Sequence, residues 1–373
     1  MVLLMGIAII LPVLLFGINY LRNPEEALAF KAMGQLPRLF LFVCFGWWLG
    51  GKERNWMFFL ILAFSGLLLA TALDPDLKRH IIQLFKGRRV DFNILNEQHV
   101  ALFYSIAFIG LLAFSHRAFR ISRRSLRWVV FVLCLFAMVI CVVAILGTQT
   151  RAAWLGLGVC LLVWIVHGTL YLFRQRHQGP IIWIATLVIV LASSSIFLFK
   201  DSISHRLASE SKTLNALANG DFDNVPYTSI GIRINTWIEA IPWIMERPLT
   251  GWGGNVRSTV IDTSDRLPKQ VKARFGHFHN VYIEFTLAYG LLGLAVALAP
   301  FFWCISTGWR YLHDGKLPLD LLAFTAYGSL LLAVMSTFES YLFFWSGAYV
   351  MTVLLTPIYS HLLGCRQPTA SNP

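Results

Sequence analysis

Residues 128–147 read WVVFVLCLFAMVICVVAILG, twenty positions without a charge, followed at once by Thr148-Gln149-Thr150-Arg151 and a second apolar run, Ala152–Phe173. About 20 apolar residues is the length a helix needs to cross roughly 30 Å of hydrocarbon. Two such runs joined by four residues read as neighbouring antiparallel membrane helices. Outward from this pair the pattern repeats at Val2–Tyr20, Leu36–Leu49, Trp56–Leu73, Val100–Ser115, Ile181–Phe199, Asn280–Thr307, Leu319–Thr337 and Tyr341–Leu363. The expectation is an all-α, polytopic transmembrane bundle of about 10–12 spans. Leu36–Leu49 is the shortest of the runs.

Composition agrees. Hydrophobic residues make up 57% of the chain and charged residues 13%, too little polar surface to cover a soluble domain of this length. The formal charge of +12 comes with no basic soluble domain or recognition motif, which argues against a nucleic-acid partner. It suits cytoplasmic loops, membrane lipids and anionic lipid-linked substrates. Five of the six cysteines lie in apolar runs and none forms a CxxC pair, so neither a disulfide framework nor a thiolate metal site is expected. Met1–Tyr20 lacks a basic leader and a small-residue cleavage site, and reads as a retained first span.

Basic residues orient the bundle. Lys52 and Arg54, then Arg117, Arg120, Arg123, Arg124 and Arg127, then Arg174 and Arg176, then Arg310 and Lys316 fall in connections that share one side of a ten-span chain. The positive-inside rule makes that side the cytoplasm, with both termini. The organisation expected is an N-terminal bundle over 1–199, a periplasmic loop domain over 200–278, C-terminal helices over 279–363 and a cytoplasmic tail over 364–373. One outer connection breaks the pattern, since it holds Lys78, Arg79, Lys86, Arg88 and Arg89. Either its neighbouring aspartates make the charge tolerable, or Arg88 and Arg89 meet an anionic substrate.

The long outer loop holds most of the polar chemistry. Ser202–Ala218 reads as a polar helix. Ile232–Met245 reads as an amphipathic one, opened by Arg233, kinked at Pro242, and ended by Pro248 and Gly251-Trp252-Gly253-Gly254. Arg151, hard against two apolar runs, either snorkels to headgroups or faces an anion. His277 and His279 stand at the mouth of the eighth span, where an imidazole suits a general base or a wetted interface equally. No third ligand follows them at metal spacing, and Asp221-Phe222-Asp223 reads as a solvated turn, so no metal is expected.

His279-Asn280, nine residues, then Gly290-Leu-Leu-Gly293 resemble the H-[N/S/Q]-x9-G-x-x-G pattern of the O-antigen ligase family. Arg233-Ile-Asn-Thr-Trp237, with Pro248-Leu-Thr-Gly251-Trp-Gly253, resembles the segment that precedes it there. Thr150-Arg151-Ala152-Ala153 is similar to the family's loop arginine. The resemblance implies a GT-C-like bacterial inner-membrane glycosyltransferase. Such an enzyme moves polysaccharide from undecaprenyl pyrophosphate to a sugar hydroxyl of lipid A–core in the periplasm. The reaction inverts the anomeric centre without a metal or other cofactor. It further implies that Arg151 and Arg233 hold the pyrophosphate and that His279 is the base, with Asn280 and His277 beside the substrate. Trp237, Pro248, Gly251, Gly290 and Gly293 would be structural, the last two by close helix packing. The family commonly has about twelve spans where ten are read here. An O-antigen polymerase of the same superfamily, a protein-directed relative, or a transporter or flippase for a lipid-linked substrate are the competing readings. The sparse mid-span charge disfavours transport.

Overall fold

A computed structural model describes residues 1–22, 33–174, 200–253 and 256–365. All regular structure among them is helical. In chain order the main elements are α1 (Val2–Arg22), α2 (Leu41–Trp48), α3 (Glu53–Ala72), α4 (Leu77–Phe85), α5 (Glu97–Phe114), α6 (Arg124–Thr148), α7 (Arg151–Arg174), α8 (Lys200–Ala218), α9 (Ser229–Glu246), α10 (Val256–Thr263), α11 (Val281–His313), α12 (Leu319–Met335) and α13 (Trp345–Gly364). Six of the described helices are long and apolar enough to cross a membrane: α1, α3, α5 with the turn after it, α6, the first 18 residues of α7, and α11. The chain is therefore a polytopic helical membrane protein. α6 shows why in its side chains. Val129, Val132, Leu133, Phe136 and Val139 are all exposed, an outer surface that only lipid solvates well.

The second expected span takes another form. Leu36–Leu49 is divided between a four-residue helix, Gln35–Arg38, and α2, which has eight residues. Eight residues rise only about 12 Å, well short of the hydrocarbon thickness. The break falls at Leu39-Phe40, just after Arg38, whose guanidinium donates to the Phe343 carbonyl and lies over the Trp345 ring at 5.2 Å. An arginine held that way ends the apolar run before it reaches spanning length. The expected span at Ile181–Phe199 lies outside the described residues.

The described residues fall into two compact units. The first comprises Met1–Leu157, Arg247–Val256 and His279–Pro373. Its centre is α13, buried almost throughout from Ser346 to Ser360. Neighbours approach it where a side chain is missing. Gly46 meets Tyr359, Gly51 meets Gly364, and Gly328 meets Leu354. Small residues at such crossings let backbones close up in lipid, where packing supplies the attraction that water supplies elsewhere. At one end of this unit Arg117 donates two hydrogen bonds to Asp320, at 2.5 and 2.7 Å, and one to Glu53. It also lies over Trp56 at 5.1 Å. This tie fastens the turn after α5 to the starts of α3 and α12.

The second unit comprises Gly158–Glu246 and Arg257–Phe278. α8 and α9 are joined through hydroxyls: half-buried Thr228 Oγ1 donates to buried Glu210 at 2.5 Å and lies 2.6 Å from buried Thr213 Oγ1. α9 runs unbroken through Pro242 and begins at Ser229, so Arg233 stands beyond its first turn. Arg233 therefore does not open the helix, and its charge lies largely outside the reach of the N-terminal dipole. The face of α9 that this unit buries is the small and polar one, Gly231, Asn235, Thr236 and Ala240. Ile241 and Met245 remain exposed.

Candidate active site

α5, α7 and α11 all begin, and α6 and α12 both end, at the other end of the first unit, away from Arg117. The turn from α6 to α7 is tight because Gln149 takes a left-handed conformation (φ 49°) as the cap of α6. Its side chain donates to the Gly87 carbonyl at 2.7 Å, and the Val90 amide donates to the Gly147 carbonyl at 3.1 Å. Arg89 Nε donates to the Thr148 carbonyl at 3.0 Å and lies 3.6 Å from Glu97. The basic outer connection is thus laced onto the turn that carries Arg151. Arg151 itself opens α7, is exposed, and has no hydrogen-bond or ion-pair partner among the described residues. Arg88 is likewise exposed.

The same lacing reaches the histidine. Thr150 Oγ1 donates to the Glu97 carbonyl at 3.3 Å, and the Tyr341 hydroxyl donates to the neighbouring Gln98 carbonyl at 3.2 Å. Tyr341 follows Glu339 and Ser340, both buried. His279 Nδ1 lies 3.1 Å from Glu339 Oε2. A neutral imidazole that donates Nδ1–H to a carboxylate carries its lone pair on Nε2, the arrangement of an oriented base. Glu339 Oε1 in turn accepts from the Ser340 amide at 2.9 Å, and Ser340 donates to Glu284, which is fully buried on α11. The first turn of α5 therefore lies between the Arg151 turn and the His279–Glu339 pair.

His279 is itself left-handed, at φ 52°. Histidine adopts this region more readily than most residues, yet the conformation costs about 1 kcal/mol or more and persists only where surroundings impose it. They do so here. Asn280 follows as the cap of α11, its side-chain oxygen accepting from the Tyr282 and Ile283 amides at 3.0 and 3.2 Å. The Val281 amide donates to the Ser336 carbonyl at 2.9 Å.

The glycine motif acts further along α11. Gly290, at φ 65°, interrupts the helix. The Pro248–Gly253 strap crosses this kink. Trp252 and Gly253 donate their amides to the Leu287 and Ala288 carbonyls at 2.8 and 2.9 Å, and Leu291 donates to the Pro248 carbonyl at 2.8 Å. These bonds satisfy groups that a broken helix leaves unpaired. Any side chain at Gly290 would collide with the Leu249 carbonyl, and one at Gly251 would come within 2.6 Å of the Gly290 nitrogen. Gly293 packs against Tyr289 of its own helix. Arg247 holds the strap to α1, stacking on Trp252 at 3.5 Å and donating to Asn19 at 3.2 Å.

Arg233, Trp237 and His277 belong to the second unit. Arg233 is half-buried on α9, and Trp237 Nε1 donates to the carbonyl of Phe278, the residue before His279, at 2.8 Å. Asp221 accepts from Asn224 in a local turn, and Asp223 lies 3.7 Å from Arg266.

Two residues of this end were missed in the sequence, Glu339 and His99. His99 is buried, its Nδ1 has no hydrogen-bond partner among the described residues, and its ring meets Tyr341 edge-on at 5.1 Å. The signal was legible: both polar groups sit at the mouths of spans, as His279 does. A family model described as O-antigen ligase (Wzy_C) matches residues 136–298. No curated protein matches the chain.

Proposed function

We propose that the chain, whose residues 136–298 match a family model described as O-antigen ligase, transfers polysaccharide from undecaprenyl pyrophosphate to a sugar hydroxyl of lipid A–core, at the periplasmic face of the bacterial inner membrane. The family implies a glycosyltransferase-type enzyme acting on a lipid-linked polysaccharide. The observation that carries the finer reading is the His279–Glu339 pair at the same end of the first unit as Arg151, which has no ion-pair partner among the described residues.

In this mechanism the acceptor hydroxyl attacks the anomeric carbon from the face opposite the pyrophosphate, so the centre inverts. As the new glycosidic bond forms, the bond from the sugar to the diphosphate oxygen breaks and its electron pair leaves with the carrier. His279 Nε2 takes the hydroxyl proton, and Glu339 stabilises the imidazolium that results. Arg151 receives the growing diphosphate charge through forked guanidinium contacts, and the family resemblance gives Arg233, in the second unit, the same chemistry. The first-turn amides of α7 add positive potential beside Arg151. Arg88 and Arg89 extend the cationic surface along the laced connection. Asn280, besides capping α11, borders the acceptor.

A deletion strain assayed for lipopolysaccharide tests the reading. Loss of the polymer ladder with accumulation of carrier-linked polymer is the expected result. Core bearing a single repeat unit would make the chain a polymerase instead, and loss of the ladder with carrier-linked substrate retained on the cytoplasmic side would indicate transport.

A further inference from the structure

α4 itself stands outside the proposed transfer machinery, to which its cleft connects only through Arg88, and has its own character. Its sequence, Leu77-Lys-Arg-His-Ile-Ile-Gln-Leu-Phe85, is the most strongly amphipathic of the described helices. His80 faces inward and is 4% exposed. It is clamped by Asp74, whose Oδ2 lies 2.5 Å from His80 Nδ1 and whose Oδ1 accepts from Asn93 at 2.7 Å. With that face fixed, the others are committed to the surroundings. Ile81 and Ile82 are nearly half exposed and Phe85 is 83% exposed. Lys78, Arg79, Lys86 and Arg88 line an open cleft of about 480 Å³ together with Asp76 and Ile82. Arg79 is paired with Asp76 at 2.8 Å. Lys78, Lys86 and Arg88 have no ion-pair partner among the described residues.

We propose that this cleft binds the phosphomonoester headgroup of a membrane lipid, with Lys78, Lys86 and Arg88 on the phosphate and Ile81, Ile82 and Phe85 in the acyl boundary. Four cations against one carboxylate exceed what a single-charged phosphodiester would neutralise. A phosphomonoester carries about −1.5 to −2 at neutral pH. The exposed apolar residues on the same short helix decide the source. A soluble phosphate has no use for them, whereas an interfacial helix buries such a face about 5–10 Å into the headgroup boundary. Occupancy also has a route to Arg151, since Gly87, Arg89 and Val90 are the residues bonded to Gln149, Thr148 and Gly147. On the proposed reaction the lipid of this class is the phosphorylated acceptor glycolipid, a step that rests on that reading.

The test is a titration of the purified full chain in detergent with phosphatidic acid, phosphatidylglycerol and inorganic phosphate. Each cation at a lipid surface contributes about fivefold in affinity. Lys78→Gln with Lys86→Gln should therefore weaken phosphatidic acid binding about 25-fold. Phe85→Gln, which leaves every charge in place, should weaken it severalfold. Arg123→Gln with Arg124→Gln, at the other end of the unit, should leave it unchanged. Phosphatidic acid should bind at least about fivefold tighter than phosphatidylglycerol, and excess inorganic phosphate should not displace it. Equal affinity for the two lipids, wild-type affinity in the double lysine variant, or displacement by inorganic phosphate would each overturn the proposal. If the double variant fails to fold, the lipid comparison and Phe85→Gln still decide. Binding is read without transfer, so loss of the ligase reading leaves the lipid site standing, and loss of lipid binding with intact transfer removes only the site.

Discussion

The two ends of the first unit use arginine in opposite ways. At one, Arg117 is 8% exposed and spends its guanidinium on Asp320 and Glu53. At the other, Arg151 and Arg88 are exposed and unpaired among the described residues. Lack of a partner is not the distinction by itself, because Arg123 and Arg124 are also exposed at the Arg117 end. What differs is the surrounding structure. The Arg151 turn is fixed by four hydrogen bonds to its neighbours, involving Gln149, Val90, Arg89 and Thr150. A cation held that firmly but left unneutralised is prepared for an anion that arrives later. A cation already neutralised holds the fold.

Substitutions can break or sharpen this contrast. His279→Ala should lower transfer about 10²- to 10⁴-fold with the thermal midpoint little changed, checked by turnover and melting of the same preparation. Arg117→Met should do the reverse. It strands Asp320 without its bidentate donor, costing about 3–5 kcal/mol of stability, while molecules that remain folded keep their turnover. Glu339→Gln should lower kcat about tenfold to a hundredfold with KM nearly unchanged, and Glu339→Asp should recover part of the loss.

Smaller effects follow at α4. Burial alone would raise the Asp74 carboxyl, but hydrogen bonds from the Asp76 amide, His80 and Asn93 outweigh it and hold the group below the ordinary carboxylate value. A lowered folded value means a stabilising contribution that is complete above about pH 4 and is lost as pH falls through the folded value. Asp74→Asn should remove about 1–3 kcal/mol at neutral pH, seen as faster amide exchange in Leu77–Phe85. The same segment should loosen in the wild type only in acid. Arg123→Gln with Arg124→Gln should change neither turnover nor stability by more than about 0.5 kcal/mol.

Much of this was legible in the sequence, for reasons that differ by residue. Runs such as 128–147 announce a membrane helix because lipid demands an uninterrupted apolar stretch. Leu36–Leu49 misled because its composition is apolar while Arg38, bonded to distant Phe343 and Trp345, ends the helix early. The α9 pattern correctly marked an amphipathic helix. Hydropathy could not say that the fold would bury the small, polar face and leave Ile241 and Met245 outside. In the candidate site, Arg151 and His279 stand out in the sequence because each interrupts apolar surroundings. Glu339 stands at a span mouth too, but its relation to His279 spans 60 residues and only folding brings them together. The coupling of Gly290 to Pro248–Gly253 was hidden in the same way. The motifs could be read singly, but the strap across a helix kink is a tertiary contact.

The most direct test is the transfer rate of the purified chain carrying Arg151→Ala, supplied with undecaprenyl-pyrophosphate-linked polysaccharide and lipid A–core and compared with wild type at matched folded concentration. A fall of about 10²- to 10³-fold, with an unchanged melting temperature, is the expected result. Wild-type turnover in that variant would mean that the unpaired arginine receives no leaving-group charge, and that this end of the unit is not where transfer occurs.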